Sequence, residues 1–240
     1  MKILAMDTSN QAMSVAVMAD GQLLAASTIN HKKTHSEQLL PTIDRLMTVS
    51  GLTPAKLDRV VVADGPGSYT GVRIAVTTAK TLADTLSLEL VGVSSLAALA
   101  AGAVGTTNLI VPIMDARRQN VFAGVYQWLD GELINVVEDR HLALTQLLGE
   151  LKLLRQPSTF VGSDVAKFTE SIKATLGASA HFVDALANLP QAGRLALLGA
   201  QRTPVDVTTF VPRYLRLTEA ETNWLKTHDD KGHAPYVQKV

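Results

Sequence analysis

Three groupings in this chain have residue types and spacings that chemistry can use. The first is Gly65-Pro66-Gly67-Ser68-Tyr69-Thr70-Gly71-Val72-Arg73-Ile74-Ala75. A strand, a tight glycine loop and a helix N-terminus in that order can bind an anion, because free N–H groups and the helix dipole converge there. The stretch lacks the Lys-Ser/Thr ending of a P-loop and the spacing of a dinucleotide fingerprint. The simpler reading is that its glycines let a helix pack closely on a sheet. The second grouping is the pair Asp7 and Asp115, each ending an apolar run. Facing each other across a cleft, two carboxylates can hold a cation such as Mg²⁺; the simpler reading is a turn cap at each strand end. The third is His31-Lys32-Lys33-Thr34-His35, with i,i+4 histidines. Two lysines there oppose a cation, the Glu of a His-Glu-x-x-His zinc motif is missing, and the segment straddles a helix start. Surface histidines fit it better. Serines, histidines and aspartates elsewhere are scattered without a nucleophile-elbow motif.

The elements that must carry these groups follow from periodicity. Residues 2–6 read as a short buried strand ending at Asp7. Residues 13–18 and 23–29 flank Asp20-Gly21, a hairpin signal. A helix over 34–49 carries Leu39, Ile43, Leu46 and Met47 on one face, with Thr34 and Glu37 at capping-box spacing and Pro41 as either a kink or a mark of the true start. Residues 59–63 form a strand, 70–86 a helix, 89–93 a strand, and Ser94 or Ser95 caps a helix through residue 99. The same order then recurs. A strand over 109–114 ends at Asp115, and 121–128 and 132–137 flank Asp130-Gly131. Helix (142–154), strand (159–162), helix (165–176) and strand (181–183) follow, with a further helix over 191–201 suited to a return to the lobe interface. The reading is an α/β chain of two βββαβα lobes, 1–104 and 105–217, with a polar tail over 218–240 expected to be mobile.

Composition narrows the function classes. Of 240 residues, 47% are hydrophobic and 18% charged, which excludes a disordered chain. Lys+Arg and Asp+Glu number 22 each, so the electrostatic footprint of a free-standing nucleic-acid or membrane-surface binder is missing. With no cysteine, disulfides, thiolate metal sites and a thiol nucleophile are excluded. Asp7 interrupts the first apolar run too early for a signal peptide, and no apolar stretch is long enough to span a bilayer, so a cytoplasmic protein is expected.

The glycine-rich stretch from Gly65 to Arg73 closely resembles the signature of a bacterial family of tRNA threonylcarbamoyladenosine biosynthesis proteins, TsaB (YeaZ). Supporting matches are Ile3-Leu4-Ala5-Met6-Asp7-Thr8-Ser9, His35-Ser36-Glu37-Gln38-Leu39-Leu40-Pro41, Asp115-Ala116-Arg117 and Pro212-Arg213-Tyr214-Leu215-Arg216. The resemblance spans about residues 1–217 and implies the two-lobed actin-like ATPase (ASKHA, ribonuclease H-like) fold. It also implies partners: a heterodimer with the paralogue TsaD, which carries the metal and transfers threonylcarbamoyl to tRNA beside the anticodon, and the ATPase TsaE in the same complex. TsaD uses a His-x-x-x-His pair; counted from the glycine loop, Ser95 and Leu99 stand in its place here. Phosphate-gripping hairpins of this fold need a glycine after the leading Asp, and neither Asp7-Thr8-Ser9-Asn10 nor Asp115-Ala116-Arg117-Arg118 has one.

The resulting expectation is a pseudo-enzyme with no cofactor, no metal and no catalytic residue of its own, acting through a surface. The family pattern puts the helices over 34–49 and 70–86 at the TsaD contact. The implied interface is Leu39, Ile43, Leu46, Met47, Thr70, Arg73, Ile74, Thr77, Thr78 and Thr81, beside the loop glycines Gly65, Gly67 and Gly71 and Ser68. A homodimer is expected when the partner is absent, with tRNA reached only through the complex and no membrane contact. Charge at Ile43 or Ile74 is expected to abolish the complex and spare the fold. The alternative is a stand-alone actin-fold ATP-dependent phosphotransferase. A direct RNA role is confined to Lys32, Lys33, Arg117 and Arg118 assisting a partner's basic surface.

Overall fold

Asp20 and Gly21 both take positive φ (49° and 79°), as a two-residue hairpin turn requires when its twist must match that of the flanking strands. They join β2 (Met13–Ala19) to β3 (Gln22–Ile29) in a computed structural model that describes residues 1–31 and 34–216. Lys32, Lys33, Trp224, Leu225 and the expected tail over 218–240 lie outside the described residues. β1 (Lys2–Asp7) pairs antiparallel with β2 and parallel with β4 (Arg59–Gly65), which pairs parallel with β5 (Glu89–Ser94). The helices α1 (His35–Val49) and α2 (Tyr69–Leu86) make the crossovers, and α3 (Ser95–Ala100) follows β5.

The second half repeats this. It runs β6 (Leu109–Asp115), β7 (Asn120–Leu129), β8 (Glu132–Ala143), α4 (Leu144–Leu154), β9 (Ser158–Val161), α5 (Thr169–Leu176) and β10 (Ala180–Phe182). The first sheet is ordered β3-β2-β1-β4-β5 and the second, read from the matching edge, β8-β7-β6-β9-β10. The two orders are the same, so the expected duplication is present in topology.

The layers explain the burial. α1 and α2 cover the outer face of the first sheet, where Leu39, Ile43, Leu46 and Met47 pack with Leu4, Val60, Val62, Val72 and Val76. α4 and α5 cover the second sheet around Phe160, Leu147 and Ile172. Between the sheets lies one shared core in which α3 and the last helix, α6 (Ala192–Ala200), join residues of both lobes, among them Ile3, Val61, Ile110, Met114 and Tyr126.

Several expectations are corrected. Residues 142 and 143 are strand rather than helix, because Leu142 and Ala143 pair with Val121 and Asn120 and the ladder outweighs local helix propensity. The helix expected over 165–176 is a 3₁₀ turn (Ser163–Lys167) followed by α5. Thr34 stands at the N-cap of α1 without a side-chain cap bond, so no capping box forms, and Pro41 lies inside a continuous helix. The last helix lies in the core between the lobes, and α6 and the chain after it are fastened to the first sheet. The Ala192 N–H donates to Ser14 Oγ at 2.9 Å, and Arg59 Nη1 donates to the carbonyls of Gly199, Ala200 and Arg202 at 2.7–3.0 Å while its Nη2 pairs with Glu89. Side chains of the first lobe thus cap α6 at both ends. The strap that follows bridges Val205 to Leu90, takes Lys80 Nζ on the carbonyls of Thr208 and Phe210, and bonds the Arg213 N–H to the Asp64 carbonyl at 2.7 Å.

Candidate functional site

The glycine loop is built against the turn that follows β1. A Cβ on Gly71 would sit 2.1 Å from the Thr8 carbonyl oxygen, one on Gly67 2.4 Å from that of Ser9, and one on Gly65 2.3 Å from that of Arg213. Those three positions are therefore filled by backbone. Three of the donors are engaged as well: Ser68 N–H bonds to Ser9 O at 2.8 Å, Gly65 N–H to Ser95 Oγ at 3.1 Å, and Gly71 N–H to Ser68 Oγ, which caps α2. Thr8 Oγ1 returns a bond to the Gly71 carbonyl at 2.6 Å. Ser95 and Leu99, the counterparts of the paralogue's histidines, are both buried.

Asp7 and Asp115 each cap the turn behind them. Asp7 Oδ1 accepts from the Ser9 N–H at 2.8 Å, and burial raises its carboxyl above the ordinary range. Asp115 Oδ1 accepts from the Arg117 N–H, and Lys167 Nζ, 2.8 Å from Asp115 Oδ2, also pairs with Asp164. Partial burial pushes Asp115 up, but the Lys167 contact outweighs it and holds the carboxyl below its usual value. His35 Nε2 donates to the Asn10 carbonyl at 2.8 Å. Among the described residues no three His, Asp or Glu side chains converge to hold a metal ion, and no helix is long and apolar enough to cross a membrane.

The expected interface divides in two. Leu39, Ile43, Leu46 and Met47 are buried in the chain's own core, so they offer no surface, and a charge at Ile43 would break the fold before it reached any partner. On α2, Thr70, Arg73, Thr77 and Thr81 are exposed at spacings of three and four residues, forming one ridge, with Ile74 and Thr78 half-buried along it. Tyr69 opens this ridge. It stacks on Tyr214 of the strap at 5.1 Å between ring centroids, with the Arg73 guanidinium over its face at 5.3 Å.

Sequence reasoning missed a cluster of ionisable groups where the lobes meet. A cavity of about 330 Å³ is lined by Asp64, Ser94, Tyr126, Asn135, Glu138, Asp139, Arg202 and Arg213, among others. Asp139 is saturated: Ser94 Oγ and Tyr126 OH donate to it, and Arg213 Nη2 forms an ion pair with its Oδ2. Arg213 also reaches the Gly65 carbonyl at 3.4 Å. Asp64, by contrast, has a buried Oδ1 with no hydrogen-bond partner, and burial lifts its carboxyl to about 6 against the pull of Arg213 and Arg202. Burial beside Asp139 also raises the Tyr126 phenol. These residues come from five separate segments, and the only local signal was the run Pro212-Arg213-Tyr214-Leu215-Arg216.

Comparison with known proteins agrees with this architecture. A family model described as tRNA N6-adenosine threonylcarbamoyltransferase, TsaD, matches residues 22–224. The tRNA threonylcarbamoyladenosine biosynthesis protein TsaB of Bacillus subtilis is 40% identical over 227 residues, covering 95% of this chain and 99% of that one. TsaB of Escherichia coli is 35% identical over 161 residues, 62% of this chain and 69% of that one. Among solved structures, YeaZ from Pseudomonas aeruginosa superposes with a TM-score of 0.73 at 26% identity, covering 89% of this chain and 99% of that one. A further crystal structure, of a protein described as similar to the peptidase YeaZ from Pseudomonas aeruginosa, gives 0.78 at 28% identity over 90% and 99%.

Proposed function

Because the chain belongs to the TsaB (YeaZ) family of tRNA threonylcarbamoyladenosine biosynthesis proteins, we propose that it serves that pathway as a non-catalytic subunit which docks a TsaD-type transferase. The observation that carries this reading is the α2 ridge of Thr70, Arg73, Thr77 and Thr81, presented by a helix whose other face is locked into the core. The glycine loop adds support. The close approaches of Gly67 and Gly71 and the Ser68 N–H seat α2 against the turn after β1, so the loop holds the ridge in place. The catalytic partner supplies the metal and the transfer step; this chain supplies a rigid face that stabilises the partner's active arrangement. TsaE joins the pair, tRNA is reached through the complex, and in the partner's absence the same face pairs two copies of this chain. Asp115 tied to Lys167 and glycine-free turns after β1 and β6 weigh against the alternative of a lone phosphotransferase.

Light scattering on a sizing column tests this directly. The full chain alone is expected to run as a dimer, and with its TsaD paralogue as a mixed complex. Thr77→Arg, placed on an exposed position, is expected to keep the circular dichroism and weaken the mixed complex by at least about tenfold, by putting an unpaired charge into the contact. A mixed complex of unchanged affinity with folded Thr77→Arg and Thr81→Arg variants would overturn the α2 face. A chain that never associates with the paralogue would overturn the reading as a whole.

A further inference from the structure

The cavity between the lobes holds two kinds of charged group, and the difference between them says what it can take. The Asp139–Arg213 pair is balanced in charge, with Ser94 and Tyr126 donating to the same carboxylate and only the Arg213 Nε left buried without a partner. Asp64 is incomplete: its Oδ1 is buried without a donor, although Arg202 and Arg213 act on it from a distance. Arg202 is incomplete too. Its carbonyl accepts from Arg59, while its guanidinium makes no hydrogen bond or ion pair among the described residues. Glu138, exposed on the cavity wall, is in the same state. With the charges of that pair cancelled, Asp64 and Glu138 stand against Arg202.

We propose that this cavity binds a small zwitterion of the amino-acid class, its ammonium group on Asp64 and its carboxylate on Arg202. A simple cation would satisfy Asp64 and leave Arg202 unpaired, and a simple anion would do the reverse; only a molecule carrying both charges completes both groups. The volume of about 330 Å³ lies at the small end of ligand pockets, which run from about 300 to 1,000 Å³. Energetics point the same way. A carboxylate with one oxygen buried and no donor on either is a burden on the folded chain, and an ammonium in the cavity meeting the other oxygen supplies charge-assisted hydrogen bonds. Asn135 stands on the same wall with its amide nitrogen committed to the carbonyls of Val125 and Val137, leaving its oxygen as a further acceptor for the ammonium. The inference concerns the cleft rather than the α2 ridge, so it stands or falls separately from partner docking.

Titration calorimetry on the full chain at about pH 7.5 tests it, using the common L-amino acids singly, with β-alanine and γ-aminobutyrate to sample longer separations of charge. At least one is expected to bind. Its N-acetyl and its amide derivative, and methylamine and acetate, are each expected to bind at least about tenfold more weakly, since each lacks one of the two charges. Asp64→Asn and Arg202→Ala should each weaken binding by a similar factor. Arg202 is exposed, so its variant keeps the fold and decides the matter if Asp64→Asn does not. No heat of binding up to about 10 mM of any of these compounds would overturn the proposal, as would binding that Arg202→Ala leaves unchanged.

Discussion

Arg213 and Asp139, 74 residues apart in the chain, form an ion pair in which the carboxylate side chain is only 3% exposed. Asp139 lies on β8 of the second lobe, and Arg213 on the strap that has just crossed the first. The pair therefore clamps one lobe to the other. Asp139→Ala leaves the Arg213 guanidinium without its carboxylate and removes the acceptor of Ser94 and Tyr126. Breaking a buried pair from one side costs about 3–5 kcal/mol, so its urea midpoint should fall well below that of the parent chain. A midpoint within error of the parent would mean that the lobes are held by the shared apolar core alone.

Asp64 gives a pH signature of opposite sign to an ordinary buried salt bridge. Its carboxyl titrates at about 6 in the folded chain against an ordinary 3.8. Between those values the folded state binds the proton more tightly than the unfolded chain does, so this group's contribution is most favourable at acid pH and declines as pH rises through 6. Asp64→Asn should therefore stabilise the chain at pH 7.5, by on the order of 1–3 kcal/mol, with the gain vanishing towards pH 4. Urea unfolding at both pH values checks this; a pH-independent difference would show that Asp64 is not the titrating group.

Two glycine-to-alanine changes should move stability in opposite directions. In Gly71→Ala the new methyl meets the Thr8 carbonyl oxygen at 2.1 Å, a clash with backbone that α2 can relieve only by shifting. A loss of about 1–3 kcal/mol is expected. Gly149 lies exposed within α4 with nothing within 4 Å of its Cβ position, so Gly149→Ala should gain about 0.5–1 kcal/mol from lost chain entropy alone. Thermal melts of both variants are enough to see the difference in sign.

Ile43 and Thr77 separate core from surface on neighbouring helices. Ile43 packs in the core beneath α1, so Ile43→Asp buries an unpaired charge and should abolish cooperative unfolding altogether. Thr77→Arg, exposed on α2, should melt within about 0.5 kcal/mol of the parent chain. Near-ultraviolet circular dichroism of the two proteins distinguishes these outcomes; a native spectrum for Ile43→Asp would place that side chain on the surface.

What could be read from the sequence was whatever is local. The Asp-Gly turns, the alternation of strands and helices and the matching halves all appear in short windows, and each reappears in the sheets. The face of a helix is not local. Leu39, Ile43, Leu46 and Met47 have the periodicity of an apolar face, and periodicity alone does not say whether a chain's own sheet or a partner covers it. The strand pairing that carries β8 to Ala143 overrides the helix signal of the following leucines for the same reason. Asp64, Tyr126 and Asp139 are unremarked in their own neighbourhoods, Ser94 reads there as a helix cap and Arg213 as one residue of a motif, and their shared site exists only where five segments converge.

The capping of α6 by Ser14 and Arg59 bears on how the chain is made. During synthesis the first sheet leaves the ribosome long before the helix that covers its inner face, and the strap along its β5 edge emerges later still. The earlier half must wait, with Ile3, Val61 and their neighbours uncovered, until nearly the whole chain is available. The part of the molecule made first is thus completed last, and a chain ending before α6 would leave the inner face of its N-terminal sheet uncovered.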